Sequence, residues 1–192
     1  MFRIRAEVFA RRLGWDVKVC DGWEIDEFDD LNPLYILSLE KGIVTGCLRL
    51  LPTTGPTLLR GPLSFLFDHS VEIRSPLIFE CTRLARDPRI QTASINGVSR
   101  TMLELLAAMC YSMKNAGILQ VLGVIEERTL PVYRLAGWAP SIAARSQVDP
   151  NVIACLWEVS QEVLERLIAP IGSSAFVQQE LHAARSEVIS NT

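Results

Sequence analysis

Five carboxylates fall within seven consecutive residues near the amino terminus of this chain, at Glu24, Asp26, Glu27, Asp29 and Asp30. Like charges this close repel one another, and they cannot all be buried unless cationic groups approach them. The fold must therefore either leave this segment in solvent as an acidic turn or bring basic side chains against it. The alternation of Glu24 and Asp26 favours an extended backbone with both carboxylates on one face.

The neighbouring residues favour the second arrangement. Trp15 and Trp23 lie beside the acidic segment, and arginines precede it at positions 3, 5, 11 and 12. Aromatic faces and carboxylates together suit an organic cation, and an arginine nearby can hold a carboxylate on the same ligand. The pattern suits a receptor for a zwitterion that carries an additional positive centre.

A helix is predicted ahead of the acids. Ile4, Val8, Phe9 and Leu13 recur at a spacing of three or four, as one buried stripe requires, and Gly14 ends the run. By pattern alone Phe9 is therefore a core residue. Trp15, at the end of the helix, can pack and also form a pocket wall.

Two predicted strands further along carry charged residues among apolar ones. In the strand over 43–51, Arg49 faces opposite to its leucine neighbours, towards a cleft, a carboxylate or solvent. In the strand over 77–84, an ionised Glu80 is costly unless it is paired. Arg49 and Arg83 are its candidate partners, although alternation puts Arg83 on the opposite face unless a bulge intervenes.

The remaining pattern predicts an α/β chain. The predicted elements are strands over 34–39, 118–125 and 152–158, one helical turn over 64–67, a long helix over 95–116 capped by Ser94, short helices over 129–135 and 163–168, and a partly helical tail over 169–192 to which we assign no function.

Composition argues against several classes of function. With 22 acidic and 19 basic residues, the chain as a whole offers no field for nucleic acid. Five separated cysteines indicate reduced thiols, and only two histidines, His69 and His182, argue against a His-based metal centre or a Ser-His-Asp triad. No apolar run reaches membrane-spanning length and no signal peptide precedes the first helix, so we expect a cytoplasmic protein. The sequence makes no prediction of oligomeric state.

A family resemblance rests on four blocks in fixed order. These are Phe9-x-x-Arg12-Leu-Gly-Trp15, Glu24-x-Asp26-x-Phe28-Asp29, Cys47-Leu-Arg49-Leu-Leu-Pro-Thr and Phe79-Glu-Cys-Thr-Arg83. In these blocks, from residue 1 to about 138, the chain resembles the LuxI-type acyl-homoserine lactone synthases. Cys81 and Thr82 depart from the family's usual residues and leave Glu80 and Arg83 unchanged. Relatives begin with a short strand-forming segment ahead of the block that starts here at Met1, so we expect either a trimmed start or a differently organised first sheet edge.

The resemblance implies both a fold and a reaction. The fold class is α/β: one domain over 1–192, a three-layer α/β/α sandwich around a mixed, mostly antiparallel sheet, similar to the GNAT-type N-acyltransferases. The reaction moves an acyl chain from an acyl carrier protein or acyl-CoA thioester to the amine of S-adenosylmethionine, and lactonisation then releases methylthioadenosine. S-adenosylmethionine is a substrate, and no cofactor or metal is implied. The segment 95–98 holds one glycine, so a glycine-rich cradle for the CoA diphosphate is not evident.

The resemblance also implies roles for individual residues. Catalytic roles fall to Glu80 as general base, with Arg49, Arg83 and Glu24. Binding of S-adenosylmethionine falls to Phe9 and Trp15 over its cation, Asp26 and Asp29 on its positive groups, and Arg5 on its carboxylate. The acyl-chain pocket falls to Met102, Leu106, Gly123 and Val124. Arg49 and Arg83 are expected to orient Glu80 and the acidic loop, and Arg100, Arg128 and Arg134 are candidates for contact with an acidic carrier protein.

Position 123 leads to an expectation about the substrate. Gly123 stands where relatives that prefer 3-oxo chains often carry threonine. Because glycine has no hydroxyl to donate, we expect an unsubstituted acyl chain.

Two other functions stay open at this point. A related N-acyltransferase would acylate a different amine with Glu80 as base, and it would release no methylthioadenosine. A non-catalytic module that binds S-adenosylmethionine or acyl chains would show no turnover, and its binding would be unaffected by Glu80→Gln.

Overall fold

A computed structural model describes residues 1–68 and 71–172 of the chain. Its strands are β1 (Val19–Cys20), β2 (Trp23–Glu24), β3 (Leu34–Glu40), β4 (Ile43–Pro52), β5 (Ile78–Arg86), β6 (Ser94–Ile95), β7 (Val98–Ser99), β8 (Gln120–Glu126), β9 (Ser141–Arg145) and β10 (Val152–Glu158). Six of them form one sheet in the order β3-β4-β5-β8-β10-β9. The β5–β8 pair is parallel and the other pairs of this sheet are antiparallel, as the predicted mixed sheet requires.

The helices are α1 (Phe2–Arg5), which continues as a π-helix over Ala6–Arg12, α2 (Arg100–Asn115), α3 (Leu130–Leu135) and α4 (Gln161–Ile168), with 3₁₀ turns at Glu27–Leu31, Ser64–Leu66 and Glu127–Thr129. The side chains of Ser99 and Ser160 accept the backbone N–H groups of Met102 and Val163, and so cap the first turns of α2 and α4.

Alternation along β4 divides the core into two layers. Leu48 and Leu50 belong to the main core with the buried face of α2. Cys47 faces the other way, into a smaller cluster with Ile4 and Phe9 of the first helix. Beyond that helix, the β4–β5 connection covers the same face of the sheet, where Leu59 and Phe67 belong to a cluster with Leu122 and Ala154. The sheet therefore lies between two covering layers.

The β5–β8 ladder is short, and this positions the site. Pairing runs from Ile78↔Gln120 to Glu80↔Leu122 and stops there. Residues 81–86 of β5 and 123–126 of β8 continue as strands that belong to other ladders. Both of these segments line one cavity, which therefore opens where the two strands separate.

The structure differs from the prediction in the start and cap of the long helix and in one additional strand. The long helix begins at Arg100 and not at Ile95, because Asn96 and Gly97, with φ of 51° and 83°, form the tight turn of the β6–β7 hairpin. Its cap is Ser99, so the prediction of Ser94 as cap was wrong. Strand β9 was not predicted.

The first helix also differs from the prediction. Its π-helical part closes with a bond from the N–H of Leu13 to the carbonyl of Val8, five residues back. The wider turn moves Leu13 off the buried stripe, and that side chain is 37% exposed. Gly14, at φ 66°, ends the helix as predicted.

Within the described ranges, no helix is long and apolar enough to cross a membrane. Residues 169–172 form a turn, and the rest of the predicted helical tail, 173–192, lies outside the described residues, as do His69 and His182.

Candidate functional site

The candidate site is a cavity of about 590 Å³ between the separated ends of β5 and β8. Besides these strands, its walls come from the π-helix, from α2 and α3, and from Trp157 of β10. Glu80, Arg83 and Trp15 are among the lining residues. Most of the remaining wall is aliphatic or aromatic, so the cavity suits an apolar ligand with a polar end.

The acidic segment is buried against arginines at one side of this cavity. Asp21 and Gly22, at φ 51° and 80°, turn the β1–β2 hairpin and place Glu24 on β2. Asp26 then caps the following 3₁₀ turn by accepting the N–H of Phe28, and Asp29 accepts the N–H of Asp26. The acids are therefore held by local backbone bonds before any arginine is considered.

Three arginines and three acids form a closed alternating circuit, which we call the charge ring. In order, its members are Arg5, Glu24, Arg83, Asp26, Arg49 and Asp29, and each contacts the next, with Asp29 returning to Arg5. Arg5 donates to both oxygens of Asp29 at 2.7 and 2.8 Å. Three positive groups and three negative groups make the ring neutral. Because each group also contacts opposite charges on both sides, the ring can be buried.

Burial and pairing act in opposite directions on Asp29. Burial alone would raise the pKa of Asp29, but hydrogen bonds from Arg5 and Tyr35 outweigh it and hold that pKa well below its ordinary value. The prediction that cationic side chains approach the acids is thus confirmed. Tyr35 was not predicted; it lies directly across from Arg49 in the β3–β4 pair, which was the available signal.

Arg83 reaches the ring because β5 is bulged. Cys47 pairs with Ala85 and Arg49 pairs with Thr82, so two residues of β5 oppose the single Leu48. Arg83 has a φ of 55° at this point. The irregularity turns its side chain towards Glu24 and Asp26, at 2.9 and 2.7 Å. The alternation that would have faced Arg83 away is thereby broken.

Glu80 is held by backbone and not by an arginine. It is 1% exposed, and its two carboxylate oxygens accept the N–H groups of Leu58 and Leu59, both at 2.8 Å. Burial raises the pKa of Glu80, opposed by these two bonds. The expected pairing of Glu80 with Arg49 or Arg83 was wrong, since the described residues give it no ion pair. The sequence carried no signal for the Leu58–Leu59 contact beyond the turn-rich composition of that loop.

Of the predicted residues that bind S-adenosylmethionine, Phe9 and Trp15 line the cavity and the other three do not. Arg5 is fully buried and already donates from three nitrogens to Glu24 and Asp29. Because Arg5 is fully buried and does not line the cavity, its guanidinium does not face a substrate carboxylate there. Asp26 and Asp29 are likewise occupied by arginines.

The aromatic residues are stacked. Phe9 is 4% exposed, with its ring 5.1 Å from that of Trp15 and 5.3 Å from the guanidinium carbon of Arg83. Trp15 is 46% exposed, so it presents the accessible aromatic surface of the pair.

The predicted acyl-chain residues divide similarly. Met102, Gly123 and Val124 line the cavity. Leu106 does not, because it is fully buried in the main core. Cys81, on the wall next to Glu80, is not a nucleophile at neutral pH, because burial raises the pKa of its thiol to about 12.

Comparisons with known proteins identify relatives of this chain. The family model described as autoinducer synthase matches residues 1–167. An acyl-homoserine-lactone synthase of Rhizobium etli is 38% identical over 165 residues, which cover 84% of this chain and 77% of that protein. BjaI, described as a CoA-dependent acyl-homoserine lactone synthase with SAM and isopentyl-CoA, superposes with a TM-score of 0.78 at 27% identity, over 91% of this chain and 82% of its own.

A more distant structure shows the wider fold. A protein from Lactobacillus plantarum assigned as an N-acetyltransferase superposes with a TM-score of 0.56 at 14% identity, over 83% of this chain and 88% of its own. The predicted α/β fold of the N-acyltransferase type, with a mixed central sheet and flanking helices, is confirmed.

Proposed function

This chain belongs to the autoinducer synthase family, and we propose that the cavity between β5 and β8 is where its two substrates meet. As an acyl-homoserine lactone synthase, it transfers an acyl chain from a thioester to the amine of S-adenosylmethionine and releases methylthioadenosine on lactonisation. Both steps are proposed to occur against the residues of this one cavity. Because the substrates are intracellular compounds, we place the enzyme in the cytoplasm.

The observation that carries the proposal is the buried Glu80 carboxylate in the cavity wall. An α-amino group has a pKa of roughly 7.7–8.0 and is mostly protonated at neutral pH, so a base is needed to free its lone pair. Burial raises the pKa of Glu80 and makes it a better proton acceptor than an exposed glutamate. Leu58 and Leu59 fix its orientation and leave a lone pair on each oxygen.

The proposed reaction first transfers the acyl group and then closes the lactone. Glu80, directly or through a water, takes the proton of the amine as its nitrogen attacks the thioester carbonyl. The C–N bond forms and the C–S bond breaks. The second proton that the nitrogen loses passes to the leaving sulfur, so the donor leaves as a thiol. The carboxylate of the acylated methionine moiety then attacks its γ-carbon, and the sulfonium sulfur takes the bonding electrons and leaves in methylthioadenosine.

The charge ring has a supporting role in this proposal. Arg83 is the ring member that lines the cavity, and Glu24, Asp26, Arg49 and Arg5 hold it there through the ring. We assign the sulfonium to the exposed surface of Trp15, because an aromatic face attracts a cation. Phe9 fixes Trp15 from behind. Asp26 and Asp29 thus act on the substrate through Arg83 and not by direct contact.

The thioester donor is proposed to enter between arginines at the rim. Arg12, Arg86 and Arg128 line the cavity from three different elements. Arg128 pairs with Glu126, whereas Arg12 and Arg86 are exposed and form no ion pair within the described residues. Two free guanidinium groups suit a phosphate, which acyl-CoA and the prosthetic arm of a carrier protein both carry. BjaI is described with a CoA thioester, and we propose acyl-CoA as the first donor to test.

The test measures methylthioadenosine release from S-adenosylmethionine with a panel of acyl-CoA and acyl-carrier-protein thioesters. We expect thioester-dependent release that falls at least about 100-fold in Glu80→Gln, the range of general-base catalysis. Glu104→Gln is the matched control, since Glu104 also accepts side-chain hydrogen bonds but lies outside the cavity. Thiol release without methylthioadenosine would instead indicate a plain N-acyltransferase, and unchanged release in Glu80→Gln would remove Glu80 as the base.

A further inference from the structure

Two aromatic side chains with polar atoms form part of the apolar cavity wall. Tyr133 of α3 is 6% exposed and Trp157 of β10 is 3% exposed, and both line the cavity. Their rings are in contact, with centroids 4.9 Å apart and planes inclined at 58°. The remaining wall nearby comes from apolar residues, including Met109 and Val132.

Neither polar atom of this pair has a hydrogen-bond partner among residues 1–68 and 71–172. The indole Nε1 of Trp157 is buried without a hydrogen-bond acceptor. The hydroxyl of Tyr133 likewise forms no hydrogen bond with any residue in the described part of the chain. Burial raises the pKa of Tyr133, so its hydroxyl stays protonated and able to donate. A hydroxyl without a partner in an apolar cavity is unfavourable, and it indicates a polar group on the ligand.

Gly123 leaves room for the indole of Trp157. A Cβ built on Gly123 would lie 3.0 Å from Cζ3 of Trp157, closer than ordinary contact. The indole therefore fills the space that a side chain at position 123 would take. Gly123 itself has no side chain to donate a hydrogen bond, but the hydroxyl of Tyr133 on α3 can donate one in the same cavity.

We propose that the acyl chain carries an oxygen, as a 3-oxo or 3-hydroxy group, and that the hydroxyl of Tyr133 donates a hydrogen bond to it. This inference rests on the proposed function of the cavity. It replaces the expectation of an unsubstituted chain, which considered position 123 alone. Tyr133 is then a specificity-determining residue, because a chain without the oxygen leaves its hydroxyl unpaired.

The experiment compares thioesters of equal length, from six to twelve carbons, that are unsubstituted, 3-oxo or 3-hydroxy. We expect kcat/KM for methylthioadenosine release to favour one oxygenated series by about tenfold at the best length. Tyr133→Phe keeps the ring and removes the hydroxyl, so it should reduce that preference about three- to tenfold while leaving the unsubstituted chain unchanged. Tyr111→Phe is the control, since Tyr111 is partly buried but does not line the cavity.

A binding measurement keeps this test separate from the test of the proposed function. Calorimetric titration with the matched acyl-homoserine lactones gives the same preference without turnover, in wild type, Tyr133→Phe and Trp157→Phe. The inference is overturned if unsubstituted and oxygenated ligands bind equally well. It is also overturned if Tyr133→Phe weakens both equally, which would indicate a packing role. Release of methylthioadenosine with any thioester supports the proposed function whichever result is obtained.

Discussion

The guanidinium carbon of Arg83 lies 5.3 Å from the centre of the Phe9 ring, and the same guanidinium donates to Glu24 and Asp26. Arg83 therefore joins the charge ring to the aromatic wall of the cavity. The Phe9 ring in turn stacks on the Trp15 ring, with the two ring centroids 5.1 Å apart. Residues from the first helix, the acidic segment and the bulged strand are thus held in one arrangement.

Trp15 is expected to contribute to binding of S-adenosylmethionine, whereas Trp23 is not. Both are similarly exposed, at 46% and 43%, but Trp15 lines the cavity and Trp23 stacks on Phe2. Trp15→Leu should raise the KM for S-adenosylmethionine about three- to tenfold, through the lost cation–π contact. Trp23→Leu should change it less than about twofold. Steady-state kinetics on both variants decide the point, and equal effects would contradict it.

Opening the charge ring is expected to destabilise the protein strongly. Arg5→Met leaves Glu24 and Asp29 with one arginine each in a buried setting, which should lower the free energy of unfolding by about 3–5 kcal/mol. Arg11→Met is the control, because the Arg11–Glu7 pair is exposed and should be worth less than about 1 kcal/mol. Urea unfolding at neutral pH measures both. A loss below about 1 kcal/mol for Arg5→Met would contradict the buried-ring interpretation.

The free energy of unfolding should depend on pH because ionisation of the buried Glu80 carboxyl is unfavourable in the folded protein. The pKa of Glu80 in the folded protein lies above the ordinary value of 4.5 because of burial. Its contribution to stability is therefore fully present below pH 4.5 and is lost as the pH rises through the folded-state pKa. Relative to Glu80→Gln, the wild-type free energy of unfolding should fall over that range, by about 1.4 kcal/mol for each unit by which the pKa is raised.

Urea titrations of the two proteins between pH 4 and 8 provide the measurement. Asp29 does not confuse this comparison, since it is present in both proteins and its low pKa acts in the opposite direction, with stability lost as the pH falls. A difference between wild type and variant that is flat or rises with pH would contradict the prediction.

Much of the sheet could be predicted from the sequence, because its strands are apolar runs with clear limits. Strand β10 has the predicted bounds, and β4 differs by one residue. Strand β9 was missed because it is an edge strand of small and exposed residues, whose sequence SIAAR shows no apolar alternation. The start of α2 was misplaced because Asn96-Gly97 forms a hairpin turn, a local signal that competes with the helical pattern.

The charged residues of the site could be predicted from the sequence, but the partners of each charged group could not. The charged residues were identifiable because acids and arginines in apolar surroundings need partners. The partners of Arg83 depend on the bulge in β5, which the alternation of side chains along the sequence does not predict. The partners of Glu80 depend on the loop that brings the N–H groups of Leu58 and Leu59 to its carboxylate. Backbone donors carry no sequence signature, so sequence reasoning gave Glu80 an arginine partner that the fold assigns elsewhere.

Close packing between β4 and α2 is expected to make Gly46 intolerant of any side chain. A Cβ there would lie 2.6 Å from Cγ2 of Thr101 and 2.9 Å from Cδ1 of Leu105, both on α2. Gly46→Ala should therefore lower the free energy of unfolding by about 1–3 kcal/mol. Gly55→Ala is the matched control, since its nearest contact would be 3.7 Å away and its effect should stay within about 0.5 kcal/mol. Similar values for the two variants would argue against this packing.

The arginine rim is expected to bind the phosphate of the thioester donor. Arg12 and Arg86 line the cavity without an ion-pair partner in the described residues, so Arg12→Glu with Arg86→Glu should raise the KM for acyl-CoA about tenfold or more. The KM for S-adenosylmethionine should change less than about twofold. Arg134→Glu serves as the control, because Arg134 is exposed and does not line the cavity.

Two further measurements separate phosphate binding from a general effect of charge. In the wild type, the KM for acyl-CoA should rise with ionic strength, since exposed charges are screened over about 10 Å at 0.1 M salt. An S-acyl pantetheine without phosphate lacks the group that the arginines contact, so its KM should be equal in wild type and the double variant. If the double variant impairs the phosphate-free donor as much as acyl-CoA, the arginines shape the cavity mouth and do not bind phosphate.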